Sequence, residues 1–344
     1  MNPIMSSLIL SSVATGTIIT LSSTHWLLAW IGLELNTLAI VPMIAKQHHP
    51  RATEATTKYF LTQAAASATL LFASTINAWS ISTWDITQLT SQPACILLTM
   101  ALAMKLGLAP LHFWLPEVLQ GTSLKTALII ATWQKLAPLA LLYQTYNSIH
   151  PTTLLIMGLL STLIGGWGGL NQTQTRKIMA FSSIAHLGWM ATILTLNPNL
   201  MLLNLLLYLM MTTTTFTMLI FSTAKTIKDL TTTWTISPPT TAFMLMLLMS
   251  LGGLPPLTGF IPKWLILQEL TTHSLPMTAT LLAISALLSL FFYLRLSYIT
   301  TLTMFPTTTQ TTYKWRFQPK FYTITMSALL LPSLLLLPMT PMML

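Results

Sequence analysis

Charged residues are scarce in this sequence. Asp, Glu, Lys and Arg make up only 6% of its 344 residues, whereas 53% are hydrophobic, and a soluble domain typically carries about 25% charged residues. This shortage predicts an all-α, polytopic transmembrane helix bundle in which residues 1–344 form a single membrane domain. The net charge of +9 is spread thinly between apolar runs, so we expect the lipid bilayer and not nucleic acid as a partner.

Cysteine is nearly absent as well, because Cys95 is the single one. It cannot form an internal disulfide, and without a CxxC motif the chain cannot supply the thiolates of an iron–sulfur cluster. A glycine-rich dinucleotide motif after a strand is also missing. We therefore expect no cofactor and no metal in this chain. Residues 1–16 contain no Lys or Arg, so they lack the pattern of a signal or import peptide and are expected to begin the first span.

Long apolar stretches predict about eleven transmembrane helices, because a span needs about 20 mostly apolar residues. Prolines fall at or near several of the predicted ends, where helices tolerate them. The predicted spans cover residues 3–23, 25–45, 59–79, 93–114, 123–143, 149–170, 176–196, 200–222, 239–271, 276–300 and 323–343.

Basic residues occur on only one side of this predicted topology. The loops on the N-terminal side hold eleven of the fifteen Lys and Arg residues, and the loops on the opposite side hold none. Because basic loops stay on the cytoplasmic or matrix side, we expect the N-terminus on that side. Lys314, Arg316 and Lys320 lie close together in one such loop and favour a contact with anionic lipid.

Three ionisable side chains fall near the middle of predicted spans, namely Glu34, Lys105 and Lys135. Each lies about 13–18 Å along its helix, and a charge at that depth costs about 2.5–3.5 kcal/mol on the mildest scale. A structural ion pair between Glu34 and Lys105 is one explanation, but it leaves Lys135 and Lys263 without an acidic partner. A buried lysine without a partner readily releases its proton, which is the property that a proton relay requires.

Two segments rich in glycine and proline interrupt predicted spans. Residues 107–116 (GLAPLHFWLP) and 253–262 (GLPPLTGFIP) align without gaps at an offset of 146, with five identities in ten positions. Proline breaks a helix interior, and backbone groups freed at membrane depth must face protein or a wet cavity. Motifs five spans apart predict inverted five-helix repeats, residues 1–143 and 149–300, followed by a terminal span, residues 323–343. Broken helices at matching positions point to an ion path.

Two histidines lie near these features. His112 belongs to the first interrupted segment, and His186 falls near the middle of the seventh predicted span, one turn after two serines. A buried histidine is commonly a hydrogen-bonded core residue, but it also titrates near neutral pH. Each is therefore either structural or a member of the proton path.

These motifs resemble the antiporter-like proton-pumping membrane subunits of respiratory complex I, in particular the mitochondrially encoded ones of vertebrates. The resemblance covers the whole chain. Its most specific pieces are residues 30–36 (WIGLELN), 104–117, 133–135 (WQK), 182–188 (SSIAHLG) and 252–264.

The resemblance implies a role for individual residues. Glu34 matches the membrane glutamate that pairs with the lysine at position 105, Lys135 matches the central relay lysine, and Lys263 matches the lysine beside the second broken helix. It further implies that the chain translocates protons as part of an NADH:ubiquinone reductase complex of the mitochondrial inner membrane. Flavin, iron–sulfur clusters and quinone are then expected in partner subunits of that complex. Longer members of the family have fourteen spans, three more than are predicted here.

Three other functions stay open on the residues alone. A free-standing cation/proton antiporter needs carboxylates or unwound carbonyls near the midplane, where Glu34 is the acidic residue available. A haem-bearing electron carrier needs axial ligands, for which only His112 and His186 lie deep enough. A purely structural subunit of the membrane arm can be told apart only by a pumping assay.

Overall fold

The structure, a computed structural model, describes residues 3–47, 49–302 and 324–338. Within these ranges all regular secondary structure is helical and no strand is formed. Eight helical segments there are long and apolar enough to cross a membrane, one of them the segment Leu124–Gln144 that is interrupted at Thr132, and three shorter apolar helices accompany them. The predicted all-α membrane fold is thus confirmed, whereas the number of eleven spans stays a prediction. Lys314, Arg316 and Lys320 lie outside the described residues, as does part of the predicted terminal span.

Proline marks the start of many helices. Among the described helices, six begin with a proline, a position where the missing N–H costs no hydrogen bond. In chain order the helices are α1 (Pro3–Ser22), α2 (Trp26–Ile44), α3 (Pro50–Ile81), α4 (Gln92–Leu106), α5 (Trp114–Gly121), α6 (Leu124–Ala131), α7 (Trp133–Gln144), α8 (Pro151–Gly169), α9 (Thr175–Leu194), α10 (Pro198–Ser222), α11 (Ile227–Thr231), α12 (Thr233–Ile236), α13 (Pro238–Gly252), α14 (Phe260–Thr272), α15 (Pro276–Leu302) and α16 (Ile324–Leu335).

The chain packs as two compact units. Unit 1 contains residues 1–164 and 183–198, and unit 2 contains residues 165–182 and 199–344. Two boundaries fall inside α8 and α9, so each of these helices contributes residues to both units, and the third follows Pro198, the first residue of α10. The units therefore differ from the repeats predicted from the sequence, which divide the chain between helices and which stay a prediction.

Helix α3 begins earlier than the predicted span, which started at residue 59. Pro50 occupies its first turn, and His49 caps it by accepting a hydrogen bond at Nδ1 from the Arg51 backbone N–H at 3.2 Å. As a consequence Lys58, which was expected in a loop, lies inside the helix. There it forms an ion pair at 2.5 Å with Glu54, one turn earlier.

The two breaks predicted from proline and glycine have the same local geometry. Helix α4 ends before Gly107, whose φ is +79°, and α13 ends before Gly253, whose φ is +81°. This left-handed conformation favours glycine because it lacks a Cβ atom. The second arms, α5 and α14, begin at residues 114 and 260, which are again 146 positions apart. Helix α5 runs beyond residue 114, where the predicted span ended, because the chain resumes a helix after the break.

Each unit also joins two of its loops through backbone hydrogen bonds. In unit 1, residues 24–26 pair with residues 84–86 through two bonds of 3.0 Å, and in unit 2, residues 173–175 pair with residues 225–227 through two bonds of 3.1 Å. The paired loops of unit 1 include an aspartate and no Lys or Arg, whereas those of unit 2 include a lysine. An inverted repeat predicts such a difference in basic residues, and the repeats themselves stay a prediction.

Candidate functional site

Lys135 is buried beside the first helix break. The span predicted over residues 123–143 is interrupted at Thr132, whose φ of −112° and ψ of −71° separate α6 from α7. Lys135 is 1% exposed, and its Nζ donates a hydrogen bond to the carbonyl of Leu106, the last residue of α4. A helix end leaves carbonyls without intrahelical partners, and its partial negative charge favours a cation. The break thus supplies the acceptor that this buried lysine needs.

Trp114, the first residue of α5, organises the surroundings of Lys135. The lysine Nζ lies 5.4 Å from the centre of the indole ring, within the range of a cation–π interaction. The indole Nε1 donates to the Met104 carbonyl at 3.0 Å, so it bridges the two arms of the broken helix. The Tyr59 ring meets Trp114 edge-on with 5.9 Å between centres, and the Tyr59 hydroxyl accepts a hydrogen bond from Gln134 Nε2. One aromatic cluster therefore holds both Gln134 and Lys135.

Glu34 and Lys105 are not joined by a direct ion pair. Lys105 is 2% exposed in the last turn of α4, and its Nζ has no hydrogen-bond partner among the described residues. Glu34 is half-buried on α2, and its Oε2 is unpaired within the same part of the chain. No nitrogen–oxygen contact within 4.0 Å connects the two among the described residues. The pairing of Glu34 with Lys105 that the resemblance implies therefore stays a prediction.

Both predicted histidines are buried in unit 1. His112 lies in the break between α4 and α5, with its ring centre 4.3 Å from that of Phe113. His186 lies on the portion of α9 that belongs to unit 1. Unit 1 thus contains five of the six predicted site residues, and the sixth, Lys263, belongs to unit 2.

Lys263 occupies the second break in a closely similar way. It is buried on α14, and its Nζ donates to the Gly252 carbonyl at 2.8 Å. Gly252 ends α13 and lies 146 positions after Leu106, so the two breaks offer equivalent carbonyls to a lysine ammonium. The lysines come from non-equivalent helices, because the position that matches Lys263 in the first repeat is Glu117. The alignment of the repeats therefore indicates the two acceptor carbonyls, but it does not indicate which lysine binds the carbonyl of Leu106.

Three buried, uncharged polar side chains in this part of unit 1 were missed by the sequence analysis. Tyr59 and Gln63 are buried on α3, and Gln134 is buried on α7. A search restricted to ionisable groups passes over amides. The available signal was the presence of glutamines inside otherwise apolar spans, where an unpaired amide is costly.

A charged cluster joins α3 to α5. Lys58 Nζ lies 2.6 Å from Glu117 Oε2 and 2.5 Å from Glu54 Oε1. All three side chains are exposed, so each pair contributes little to stability on its own. The cluster ties the second arm of the first broken helix to α3, on which Tyr59 and Gln63 also lie.

The site consists of ammonium groups, amides and free carbonyls rather than metal ligands. Among the described residues no three His, Cys, Asp or Glu side chains come together as a metal site, and Cys95 is a buried free thiol. A lysine held by a carbonyl in a low-dielectric interior can bind or release a proton in response to nearby charge. The geometry thus supports proton transfer.

The sequence matches two related families along its length. Residues 23–291 match the family described as NADH:quinone oxidoreductase/Mrp antiporter, TM, and residues 290–344 match NADH dehydrogenase subunit 2 C-terminus. The chain is 58% identical to NADH-ubiquinone oxidoreductase chain 2 of Salmo salar, over 99% of this chain and 98% of that one. It is 60% identical to the same protein of Varanus timorensis, over 100% of this chain and 99% of that one.

The fold matches a chain of a solved respiratory complex. That chain belongs to respiratory complex I from Thermus thermophilus with bound aureothin. The superposition has a TM-score of 0.83 at 27% sequence identity, and it covers 98% of this chain and 80% of the other.

Proposed function

This chain belongs to the NADH:quinone oxidoreductase/Mrp antiporter family, and we propose that it carries protons across the membrane through its buried lysines. It is a proton-antiporter-like membrane subunit of NADH:ubiquinone oxidoreductase (complex I) and acts as part of that enzyme complex. The observation that carries the relay is the pair of lysine ammonium groups, Lys135 and Lys263, on equivalent end carbonyls of two broken helices.

The physical basis is that each lysine is stable both with and without its proton. The carbonyl of a helix end compensates the ammonium by a charge-assisted hydrogen bond and by the helix dipole. The neutral amine leaves no uncompensated charge in the low-dielectric interior. Small changes in nearby charge therefore decide which form is present, and this sensitivity makes the lysines suitable relay members.

The driving event is proposed at Glu34 and Lys105. Redox energy from partner subunits arrives as a conformational or electrostatic shift that brings this pair together or separates it. When Glu34 is close, Lys105 keeps its proton. When the pair separates, either the proton of Lys105 or its positive field changes the protonation of Lys135 and then that of Lys263. Water and the two histidines, His112 and His186, bridge the gaps. The absence of direct contact between Glu34 and Lys105 among the described residues supports the separated arrangement as one of the two states.

The relatives and the loop charges support the setting that we propose. The chain is a multi-pass protein of the mitochondrial inner membrane, other subunits of complex I are its partners, and the N-terminus faces the matrix because the basic loops lie on that side. NADH oxidation, with its flavin and iron–sulfur clusters, and the quinone reaction belong to partner subunits. The basic segment 314–320 binds anionic lipid.

The relay is tested by the proton-to-electron stoichiometry of vesicles that carry the assembled complex with Lys135→Met. Methionine keeps much of the side-chain volume but cannot bind a proton. Lys125→Met is the matched control, because Lys125 is exposed on α6. We expect fewer protons per NADH for Lys135→Met and an unchanged ratio for Lys125→Met, with equal assembly. An unchanged ratio for Lys135→Met would show that this lysine is only structural.

A further inference from the structure

The terminal helix α16 packs in unit 2 against the second broken helix. It contacts α13, the first arm of that broken helix. Leu330 and Ser333, which lie three residues apart on one face of α16, are buried, whereas Leu331 and Leu335 are exposed. One face of α16 is therefore held against the interior of unit 2.

A buried hydrogen bond joins the second break to the end of α16. The hydroxyl of Thr258 donates to the backbone carbonyl of Ser333, and both residues are fully buried. The acceptor belongs to the last turn of α16, which ends at Leu335, and the carbonyls of a last turn have no intrahelical partner. Because an unpaired carbonyl is costly at membrane depth, Thr258 satisfies a group that α16 cannot satisfy by itself.

Thr258 also lies at the start of α14, the helix that carries Lys263. Its carbonyl accepts a hydrogen bond at 3.3 Å from the N–H of Ile261, in the first turn of α14. The next residue, Gly259, lies so close to α13 that a Cβ atom there would be 1.7 Å from the Ser250 carbonyl oxygen. The start of α14 is thus fixed on two sides, by α13 at Gly259 and by α16 at Thr258.

No other side chain of the break can make such a bond. Between Gly253 and Gly259, Thr258 is the one residue with a polar side chain. Pro255 and Pro256 are exposed and have no N–H to donate. The hydroxyl of Thr258 is therefore the only side-chain donor through which these residues can be attached to a neighbouring helix.

We propose that Thr258 is a positioning residue: by bonding to the end of α16 it fixes the first turn of α14, and with it the Lys263 ammonium at the Gly252 carbonyl. Lys263 follows Thr258 by five residues, whereas Gly252 belongs to α13. A displacement of the first turn of α14 relative to α13 therefore changes the 2.8 Å distance from Lys263 Nζ to the Gly252 carbonyl. The importance of that distance for pumping rests on the proposed function.

The terminal helix lies in the part of the chain that is typical of one subunit. It falls within residues 290–344, which match the subunit 2 family, whereas the break falls within residues 23–291, which match the broader family. The residue that matches Thr258 in the first break, 146 positions earlier, is His112. The attachment of the second break to α16 is accordingly a feature that the sequence of the first break does not repeat.

The contact is tested first in the unmodified complex and then in a variant. A cryo-electron microscopy map of the intact complex should place Thr258 Oγ1 about 2.5–3.0 Å from the Ser333 carbonyl oxygen, and a map in which they do not meet would overturn the proposal. In Thr258→Val, which keeps the shape but loses the hydroxyl, the distance from Lys263 Nζ to the Gly252 carbonyl should exceed about 3.5 Å. An unchanged distance there contradicts the positioning role.

The effect on function is measured as protons pumped per NADH in vesicles, at matched amounts of assembled complex. Thr258→Val should lower the ratio, and Thr258→Ser, which keeps the hydroxyl, should restore it. Thr241→Val is the matched control, because Thr241 is buried on α13 and its hydroxyl donates within its own helix, to the Pro238 carbonyl at 2.6 Å; its ratio should not change. A ratio for Thr258→Val equal to that of Thr241→Val speaks against the inference.

The two measurements separate this inference from the proposed function. The maps report the contact with α16 and the position of Lys263 without any pumping assay. If Lys135→Met leaves the stoichiometry unchanged, the relay fails, and the maps still decide whether Thr258 positions Lys263.

Discussion

We expect that replacing Gly253 with alanine disturbs Lys263 of the proposed relay and that the same change at Gly107 leaves Lys135 undisturbed. Both glycines follow a helix with φ of +79° or +81°, so alanine at either costs about 1–2 kcal/mol of backbone strain. At Gly253 the added Cβ would lie 2.9 Å from Nζ of Lys263, whereas at Gly107 its nearest neighbour is Leu115 Cδ1 at 3.1 Å. Because a lysine end is flexible, Gly253→Ala displaces the ammonium from the Gly252 carbonyl.

The displaced bond sets the size of the expected effect. A hydrogen bond from a charged group contributes about 1.5–3 kcal/mol. Its loss therefore lowers the equilibrium constant for binding the ammonium at this carbonyl by a factor of about 10–100. Both variants should lower the thermal stability of the assembled complex, Gly253→Ala by more because it also loses this hydrogen bond, but only Gly253→Ala should lower the protons pumped per NADH. NADH oxidation and proton uptake are recorded together in reconstituted vesicles. Equal stoichiometry in the two variants at matched assembly would refute the role of this carbonyl contact.

Three further predictions follow from contacts outside the relay. Glu117→Gln removes one of two carboxylates from Lys58, so thermal melts of the complex should show a small loss of stability that shrinks with added salt, without a change in pumping. Gly259→Ala would bring a Cβ into the Ser250 carbonyl oxygen, and since backbone cannot yield as a side chain does, the yield of assembled complex should fall sharply. Partial burial raises the pKa of Asp229, but hydrogen bonds from the backbone N–H groups of the preceding turn outweigh it and hold the pKa below its ordinary 3.8. Asp229→Asn should therefore reduce stability near neutral pH, and melts across pH should show the difference fading only as the pH falls below about 4, through the lowered pKa of the folded protein.

The predictions that hold best concern features set by neighbouring residues. The breaks near Gly107 and Gly253 follow from proline and glycine, whose effects on the backbone act within a turn. The start of α3 at Pro50 was misjudged because hydropathy averages over a long window, whereas a proline and a histidine cap act at a single position. The interruption at Thr132 was missed for a related reason, since threonine alone does not indicate a helix break.

The predicted site residues stay a prediction, and the structure adds neighbours that the sequence did not indicate. Lys105, Lys135 and Lys263 are buried, as the cost of charge in a membrane led us to expect for functional lysines. The partner proposed for Lys105 was Glu34, because charge complementarity is the most visible pairing in a sequence. The structure surrounds Lys105 with amides instead, and amides carry no such signal.

The sequence by itself determined the membrane class, the helical fold and the matching breaks, because apolar burial and local backbone constraints act on residues close in the chain. Only the tertiary structure decided which acceptor each lysine binds. Lys135 reaches the Leu106 carbonyl 29 residues away, and Gln134 reaches Tyr59 75 residues away. Such contacts depend on how the helices pack against one another, and a hydrogen bond forms only when that packing brings its two atoms within about 3 Å.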